Sequence, residues 1–317
     1  MAEVVAQVTS GTTVQGLVTI IMPFLNTRES FFLEAVESIN KQTYDNWELI
    51  LVDDGSEAPL SRAAMAVAGK LPEKITYVDH DGHRNLGISA SRNLGISLAK
   101  GEYVAFLDAD DVWNGEQLKE QVELLNHHPE VAMLYGNTTY WRTWRDNSGE
   151  SERDVQYKMG LRTPQLYAPP NLLRLILQRR AISPCMTSVM VRRQVFLQGV
   201  DFEEEFREHY EDQVFLAKVF ASYPVYVSNR CWGKYRQHLE SVTSDGDDSD
   251  RARTWRLQYL HWLSAYLDKN KFKRTSVWFA LKLELWMLQN QRVEEVTEWI
   301  RLWRRRFRKV LGISGVS

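Results

Sequence analysis

Tyr103-Val104-Ala105-Phe106-Leu107-Asp108-Ala109-Asp110-Asp111 is the stretch on which the reading of this chain turns. A strand-forming apolar run that ends in three acids within four residues sets carboxylates at the C-terminal edge of a sheet, where open α/β folds receive ligands. Carboxylates this close repel one another unless a cation lies between them. Oxygen donors of this kind suit Mg²⁺ or Mn²⁺, which keep open positions for the phosphates of a substrate. The stretch therefore predicts a divalent cation holding a phosphorylated ligand. An acid-rich turn or a helix N-cap would spell the same letters, so the neighbouring strands decide.

A second apolar run, Trp47-Glu48-Leu49-Ile50-Leu51-Val52, ends in Asp53-Asp54-Gly55-Ser56, a turn in which glycine can take φ > 0. Leu17 to Met22 is a third strand, expected to be broken by Pro23 and followed by Asn26 and Glu29 ahead of an amphipathic stretch from Ser30 to Gln42. Strands alternating with helical patterns imply βαβ units and a parallel sheet. The alternation continues with a short strand at Ile75 to Val78, helices at Gly87 to Ala99 and Glu116 to Leu125, and a strand at Val131 to Tyr135. Asn114 stands where it would cap the second of those helices. From Gly136 to Pro170 the periodicity degrades, and irregular structure is expected around Tyr140, Trp141 and Trp144. A helix at Asn171 to Arg180, a strand at Thr187 to Val191 and a helix at Tyr210 to Ala221 follow.

With 317 residues the chain can bury a substantial core in one large domain or two of ordinary size. A net charge of −2 and a pI near 6.4 argue against wholesale nucleic-acid binding. Cys185 and Cys231 are the only cysteines, too few for a disulfide scaffold or a thiolate metal site and consistent with a reducing compartment. No secretory signal is evident, and no apolar run approaches the ~18 to 20 residues that span a bilayer, so cytosolic residence is expected. The eleven tryptophans suit either core packing or platforms for flat, weakly polar ligands such as sugars.

Residues 1–15 are expected to be disordered, residues 16–250 to form the α/β domain, and residues 251–317 to form a helical C-terminal region. The run Ser241 to Asp250 has the composition of a linker or mobile loop, which sets the second boundary. Beyond it Trp255, Tyr259, Trp262 and Tyr266 recur along one helix face that would pack onto the α/β domain. In the tail, Trp299, Ile300, Trp303, Phe307 and Val310 fall on one side. Arg301, Arg304, Arg305, Arg308 and Lys309 fall largely on the other, with Arg306 near the border. Such a helix suits the surface of an anionic membrane, and equally a solvated terminus or a contact between copies of the chain.

Between the two acidic strand ends lies His83-Arg84-Asn85-Leu86-Gly87-Ile88-Ser89-Ala90-Ser91-Arg92-Asn93-Leu94-Gly95. Together with Pro23, Asn26, the Asp53-Asp54-Gly55-Ser56 turn and the Asp108-Ala109-Asp110-Asp111 run, this segment resembles family-2 glycosyltransferases of GT-A fold. Tyr210-Glu211-Asp212-Gln213 is similar to that family's acidic base motif at a helix start. Tyr235 to Ser241 is similar to the basic, His-containing segment that in many members closes over the diphosphate. Residues 136 to 205 and those past 250 carry little of the likeness.

The resemblance implies a Rossmann-like, mostly parallel sheet flanked by helices, with a C-terminal helical extension. It implies that Pro23, Asn26 and Glu29 line the nucleotide pocket and that Asp53 or Asp54 hydrogen-bonds the base. Asn85, Gly87 and Arg92 would touch the ribose and diphosphate, where a small residue admits close approach and arginine offers a fork for phosphate. Asp110 would be the direct ligand of Mn²⁺ or Mg²⁺, with Asp108 and Ala109 nearer the ribose. His238 would complete the metal shell or, with Arg236 and Ser241, bind the diphosphate. Asp212 would be the general base that takes the proton of an acceptor hydroxyl, and Glu211 would orient it.

The implied activity is a metal-dependent, inverting transfer of a hexose-type sugar from a nucleoside-diphosphate donor, UDP-linked by preference, to a hydroxyl of a glycan or a lipid-linked saccharide. Trp141, Trp144, Tyr157 and Trp232 are the candidates for holding the acceptor. A retaining transferase of the same fold would need the same metal acids, and the acid pair at the helix start favours inversion. A sugar nucleotidyltransferase would open its first strand into a glycine-rich loop, whereas Pro23-Phe24-Leu25-Asn26-Thr27-Arg28-Glu29 has no glycine. A binding module without activity would be expected to have lost a metal acid or the base, and none is missing.

Overall fold

A computed structural model of the chain describes residues 12–144, 153–207, 209–238 and 249–290. Its first half comprises β1 (Val14–Phe24), α1 (Glu29–Asn40), β2 (Trp47–Asp53), α2 (Ala58–Lys70), β3 (Ile75–Asp79), α3 (Ile88–Leu98), β4 (Gly101–Phe106), β5 (Val112–Trp113), α4 (Gln117–His127) and β6 (Met133–Trp141). The second half comprises β7 (Gln165–Tyr167), α5 (Asn171–Leu177), a 3₁₀ turn at Met186–Ser188, β8 (Val189–Arg192), α6 (Gln194–Leu197), α7 (Glu211–Ser222), β9 (Val225–Arg236), α8 (Ser249–Lys269) and α9 (Ser276–Gln289).

The strands form one nine-stranded sheet in the order β3-β2-β1-β4-β8-β6-β9-β5, with β7 on the flank of β9. β3, β2, β1 and β4 are mutually parallel. β8 then runs antiparallel to both β4 and β6, while β6 and β9 are parallel to each other. The chain passes outward from β1 to β3 and returns to the other side of β1 for β4. That reversal of winding makes a crevice outside the carboxyl ends of β1 and β4, the position at which such sheets bind ligands.

Both faces of the sheet are covered, which explains why its strands read as unbroken apolar runs. Ile20, Met22, Leu49, Leu51, Tyr103 and Ala105 point to one face and meet Phe32, Val36 and Ile39 of α1, Leu60 and Ala64 of α2, and Leu118 and Val122 of α4. Ile21, Ile50, Val52, Val104 and Phe106 point to the other, into a core made with α3, α5, α6 and α7. There the Phe106 ring stands edge-on to Phe196, Phe202 and Phe215 at centroid distances of 6.3, 5.6 and 6.2 Å. Truncating a ring so enclosed typically costs about 3 to 5 kcal/mol. Tyr259, Leu263 and Leu267 of α8 and Leu281 and Leu285 of α9 belong to the same core. The C-terminal helices are thus packed on the α/β layer by a shared apolar cluster.

Several details depart from the sequence reading. β1 already pairs at Val14 with Gly101 of β4, so the strand begins inside the segment expected to be disordered. Nor does Pro23 break β1, because the strand continues through the Pro23 and Val52 pair to Phe24. The ladder to β4 has ended at Ile21 and Phe106, so a residue without an N–H is tolerated there. Asn114 does not cap α4 through its side chain, which donates instead to the Cys231 carbonyl at 2.8 Å. β6 extends to Trp141 where irregular structure was expected, held by its parallel register with β9. Residues 1–11 lie outside the described residues, as do most of the linker-like run after residue 240 and the basic tail around Trp299 to Val310.

Candidate active site

The loop after β2 is tied down by its own acids. Asp53 is fully buried, and its oxygens accept from the Ser56 backbone N–H at 2.7 Å, the Ser61 hydroxyl at 2.6 Å and the Tyr77 hydroxyl at 2.9 Å. Asp54, also buried, accepts from the backbone N–H groups of Leu86 at 2.8 Å and Gly87 at 3.0 Å, with His80 Nε2 at 3.5 Å. A Cβ on Gly55 would lie 2.8 Å from the Asn85 nitrogen, and its φ of +85° suits glycine. Asp54 therefore fastens the 53–57 loop to the 83–87 loop, while Asp53 ties its own turn to α2 and β3. As folded the two carboxylates present no oxygen to a nucleobase, which corrects the expectation for Asp53 and Asp54.

Around this seam stand other expected pocket residues. Pro23 is buried at the end of β1, and Asn26 and Glu29 are exposed beyond it. Asn26 has φ +47° and accepts at Oδ1 from the Glu57 N–H at 2.7 Å, which joins the loop after β1 to the loop after β2. Asn85 is exposed and receives the Arg207 guanidinium at its carbonyl, 3.0 Å away. Gly87 takes φ +94° directly before α3, where a Cβ would lie 3.1 Å from Arg207 Nε.

Arg92 joins the two acidic clusters. It is 1% exposed, and Nη2 donates to Asp108 Oδ1 at 2.9 Å while Nη1 lies 3.5 Å from Glu211 Oε1. The guanidinium also stands over the Phe202 ring, 5.2 Å from its centre. Burial alone would lower the pKa of Arg92, but Asp108, Glu211 and Asp212 together raise it, so the group stays charged. Its Nε and Nη1 are buried without a hydrogen-bond partner in the structure.

Asp108 and Asp110 are partly accessible, with side chains 29% and 25% exposed, at the carboxyl end of β4. His238 Nε2 lies 2.8 Å from Asp110 Oδ2, and its Nδ1 is buried without a partner. The Asp110 carboxylate beside the His238 imidazole is a donor pair of the kind a divalent cation takes, and Asp108 stands two residues before it. Among the described residues no group of three or more His, Cys, Asp or Glu side chains is placed to hold a metal ion. An ion held here would therefore complete its coordination with oxygens of a substrate and water.

The other members of this run face inward. Ala109 is buried in the core beside α1 and α4, so only its backbone could meet a ligand, a correction to its expected role. Asp111 is fully buried, accepting from the Thr187 hydroxyl and from the Arg236 N–H at 2.9 Å. Burial, then Asp110 and Asp108, push its pKa well above the usual carboxylate range. Arg236 is 2% exposed. Its guanidinium pairs with Glu34, donates from Nε to the Asp110 carbonyl at 2.8 Å, and lies over Phe31 and Trp141 at 4.2 and 4.4 Å. It buttresses the 108–111 loop and does not face a diphosphate, a further correction. Ser241 lies outside the described residues.

Glu211 and Asp212 open α7, where acids favour the helix dipole. Burial, and then the neighbouring Asp212, push the Glu211 carboxyl up to about 7 against the opposing pull of Arg92. Burial also raises Asp212, again opposed by Arg92. A carboxylate made more basic is suited to accept a proton near neutral pH.

Of the acceptor candidates, Trp232 is 1% exposed and bonded to Glu120 in the core, so it cannot hold a ligand. Trp141 and Trp144 are half-buried around Arg236, and Tyr157 is 46% exposed with its ring edge-on to Tyr140. Glu34, Thr187, Phe202 and Arg207 escaped the sequence reading. Glu34 looks like any solvated acid on the outer side of α1, and nothing near Thr187 or Arg207 marks their partners.

The model of the family described as Glycosyl transferase family 2 matches residues 19–196, more than half of the chain. The putative teichuronic acid biosynthesis glycosyltransferase TuaG of Bacillus subtilis is 26% identical over 253 residues, 78% of this chain and 91% of TuaG. WfgD of Escherichia coli, named a UDP-Glc:alpha-D-GlcNAc-diphosphoundecaprenol beta-1,3-glucosyltransferase, is 32% identical over 121 residues, 38% of this chain and 45% of WfgD. With the uncharacterized protein y4gI of Sinorhizobium fredii the match is 31% over 121 residues, 38% of this chain, and the chain spans 13% of that protein's length. Among solved structures, S. aureus TarS with UDP-GlcNAc aligns with a TM-score of 0.59 at 21% identity, covering 78% of this chain and 65% of that one. The mannosyltransferase PcManGT of Pyrobaculum calidifontis with GDP-Man and Mn²⁺ aligns with a TM-score of 0.56 at 18% identity, covering 86% and 70%. These likenesses and the sheet order agree on the expected GT-A architecture.

Proposed function

The chain belongs to glycosyl transferase family 2 and is a glycosyltransferase, and on that premise we propose that it moves a sugar with inversion from a nucleoside-diphosphate donor, preferably UDP-linked, to a hydroxyl of a glycan or lipid-linked saccharide. The observation that carries this reading is the bridge of Arg92 between Asp108 at the end of β4 and Glu211 at the head of α7. It sets a cation-seeking edge and a raised carboxylate pair on opposite sides of one guanidinium. The UDP-Glc and diphosphoundecaprenol in the name of WfgD and the UDP-GlcNAc bound to TarS support a UDP donor and a lipid-linked acceptor, and the Mn²⁺ bound with GDP-Man in PcManGT supports a metal.

Asp110, Asp108 and His238 would hold Mn²⁺ or Mg²⁺, which when bound offsets the charge that builds on the departing diphosphate. Asp212 takes the proton from the acceptor hydroxyl as that oxygen forms its bond to the anomeric carbon. The bond from that carbon to the diphosphate breaks, and the diphosphate leaves with the electron pair. Arg92 favours the ionised form of Asp212, Glu211 orients it or the acceptor, and no covalent sugar-enzyme stage is required. The loops joined by Asp54 and Gly55 shape the nucleotide end of the crevice.

The catalytic unit is read as residues 16–250, with the helices beyond as an appendage. No helix of the described residues is long and apolar enough to cross a membrane. Peripheral attachment at the cytoplasmic face rests on the basic, Trp-bearing tail sequence, and the two free cysteines suit a reducing compartment. A liposome co-sedimentation with residues 298–317 removed tests the tail, and gel filtration of the same protein separates lipid attachment from a contact between copies.

The central test is a panel of UDP-glucose, UDP-galactose, their N-acetyl forms and GDP-mannose, with release of nucleoside diphosphate followed with Mn²⁺ and with chelator. Release from at least one UDP-sugar, abolished by chelation, is expected. Silence across the panel together with failure to bind UDP would overturn the reading.

A further inference from the structure

Tyr210, which precedes the acid pair, is held in a conformation it would not choose. Its φ of +65° and ψ of 8° lie in the left-handed region, which costs a residue with a Cβ and survives only where the surroundings impose it. Those surroundings come from the C-terminal helices. The Tyr210 ring stacks on Tyr259 of α8 at 5.2 Å and 19°. The Arg256 guanidinium, one turn earlier on α8, faces the Tyr210 phenol.

Arg256 is in turn gripped by Glu284 of α9, to which its Nε donates at 3.1 Å. Glu284 is fully buried and also receives Arg179, from the end of α5, at 2.8 Å. A carboxylate sunk in an otherwise apolar helix face is costly unless paired, and here both of its partners are arginines. From the far side the Tyr210 carbonyl accepts the Val214 N–H at 2.9 Å, the first bond of the helix that carries the acids. A displacement of Tyr210 therefore turns the head of α7 and moves Asp212 relative to Arg92.

We propose that Arg256, fixed by Glu284, is a positioning residue for the catalytic base: through Tyr210 it sets where α7 begins and so the orientation of Asp212. This deepens the reading of Asp212 as general base and rests on it. The C-terminal helices then belong to the catalytic apparatus and are more than an appendage.

The test compares the wild-type chain with Arg256→Met, Arg256→Lys and Tyr259→Leu, using the nucleotide sugar of the panel that is turned over fastest. For Arg256→Met and Tyr259→Leu, kcat should fall about tenfold or more while donor KM stays within about twofold. The acid limb of the kcat profile should move to higher pH, because Asp212 loses the pull of Arg92. Arg256→Lys should recover part of kcat. In hydrogen exchange, the peptide covering residues 210–216 should exchange faster in Arg256→Met while residues 101–106 remain as protected as in the wild type, a readout that needs no donor. Unchanged kcat and unchanged exchange would overturn the proposal, as would a loss of kcat and donor binding in step with global unfolding. An active Asp212→Asn would instead remove the base reading itself, whereas an inactive Asp212→Asn beside a wild-type-like Arg256→Met would sink the positioning role alone.

Discussion

Arg92 donates to Asp108 across 2.9 Å and reaches Glu211 at 3.5 Å, so one buried guanidinium spans the space between the strand-end acids and the helix-head acids. Lysine carries the charge but not the fork, and cannot serve both carboxylates at once. Arg92→Lys should lower kcat by about a hundredfold or more, and Arg92→Met should also cost about 1 to 3 kcal/mol of stability by leaving the partly exposed Asp108 and Glu211 without their cation. Urea midpoints beside steady-state rates check both halves.

Asp110 and His238 are partly open and lie 2.8 Å apart, whereas Asp111 is sealed. Asp110→Ala should abolish Mn²⁺-dependent UDP binding in calorimetry with little change in melting temperature. His238→Gln should weaken Mn²⁺ binding by about 10- to 100-fold, the scale on which partners of a metal site act.

Asp111 behaves in the opposite way. With its pKa raised by burial, the neutral Asp111→Asn should fold nearly as well as the wild type. Asp111→Ala would leave the Arg236 N–H and the Thr187 hydroxyl unpaired, at a cost of about 1 to 3 kcal/mol each. Thermal melts of the two variants distinguish the cases.

The coupled pair Glu211 and Asp212 sets the pH response. The base must be ionised and burial raises Asp212, so the acid-side fall in kcat should lie at higher pH than an ordinary aspartate would give, with apparent values that belong to the pair. For stability the sign is the reverse. Between its ordinary value and about 7 the folded Glu211 keeps a proton that the unfolded chain has released, so stability declines as pH rises through that window. In Glu211→Gln the difference in melting temperature between pH 5 and pH 8 should shrink.

Gly87 imposes a second backbone requirement in the crevice, after Gly55. Gly87→Ala meets both a φ of +94° and the Arg207 side chain at 3.1 Å. Donor affinity should drop about tenfold or more with kcat less affected, as a titration with UDP would show.

Much of this was legible in the residues. The apolar runs at Ile20, Leu49 and Val104 declared strands buried on both faces, and the acids that follow declared which edge carries chemistry. What escaped is the use to which each acid is put. Asp53 and Asp110 both follow an apolar strand, yet one is enclosed by Ser56, Ser61 and Tyr77 while the other stays open beside His238. That choice is made by partners far along the chain, which no local pattern encodes. Arg236 illustrates the same limit: a basic residue beside a histidine suggested phosphate, but Glu34, Phe31 and Trp141 surround it through contacts up to 202 positions distant. The aromatic spacing of Tyr259 did foretell packing on the α/β layer, though not that its contact would be the residue preceding the acid pair.

The antiparallel β8, wedged between β4 and β6, divides the sheet into two registers of design. One, β3-β2-β1-β4, carries the loops that hold Asp54, Gly87 and Asp108. In the other, β6 and β9 run side by side to Trp141 and Arg236. Because Arg236 at the end of β9 donates to the Asp110 carbonyl, the second group of strands braces the first at the edge where the acids stand.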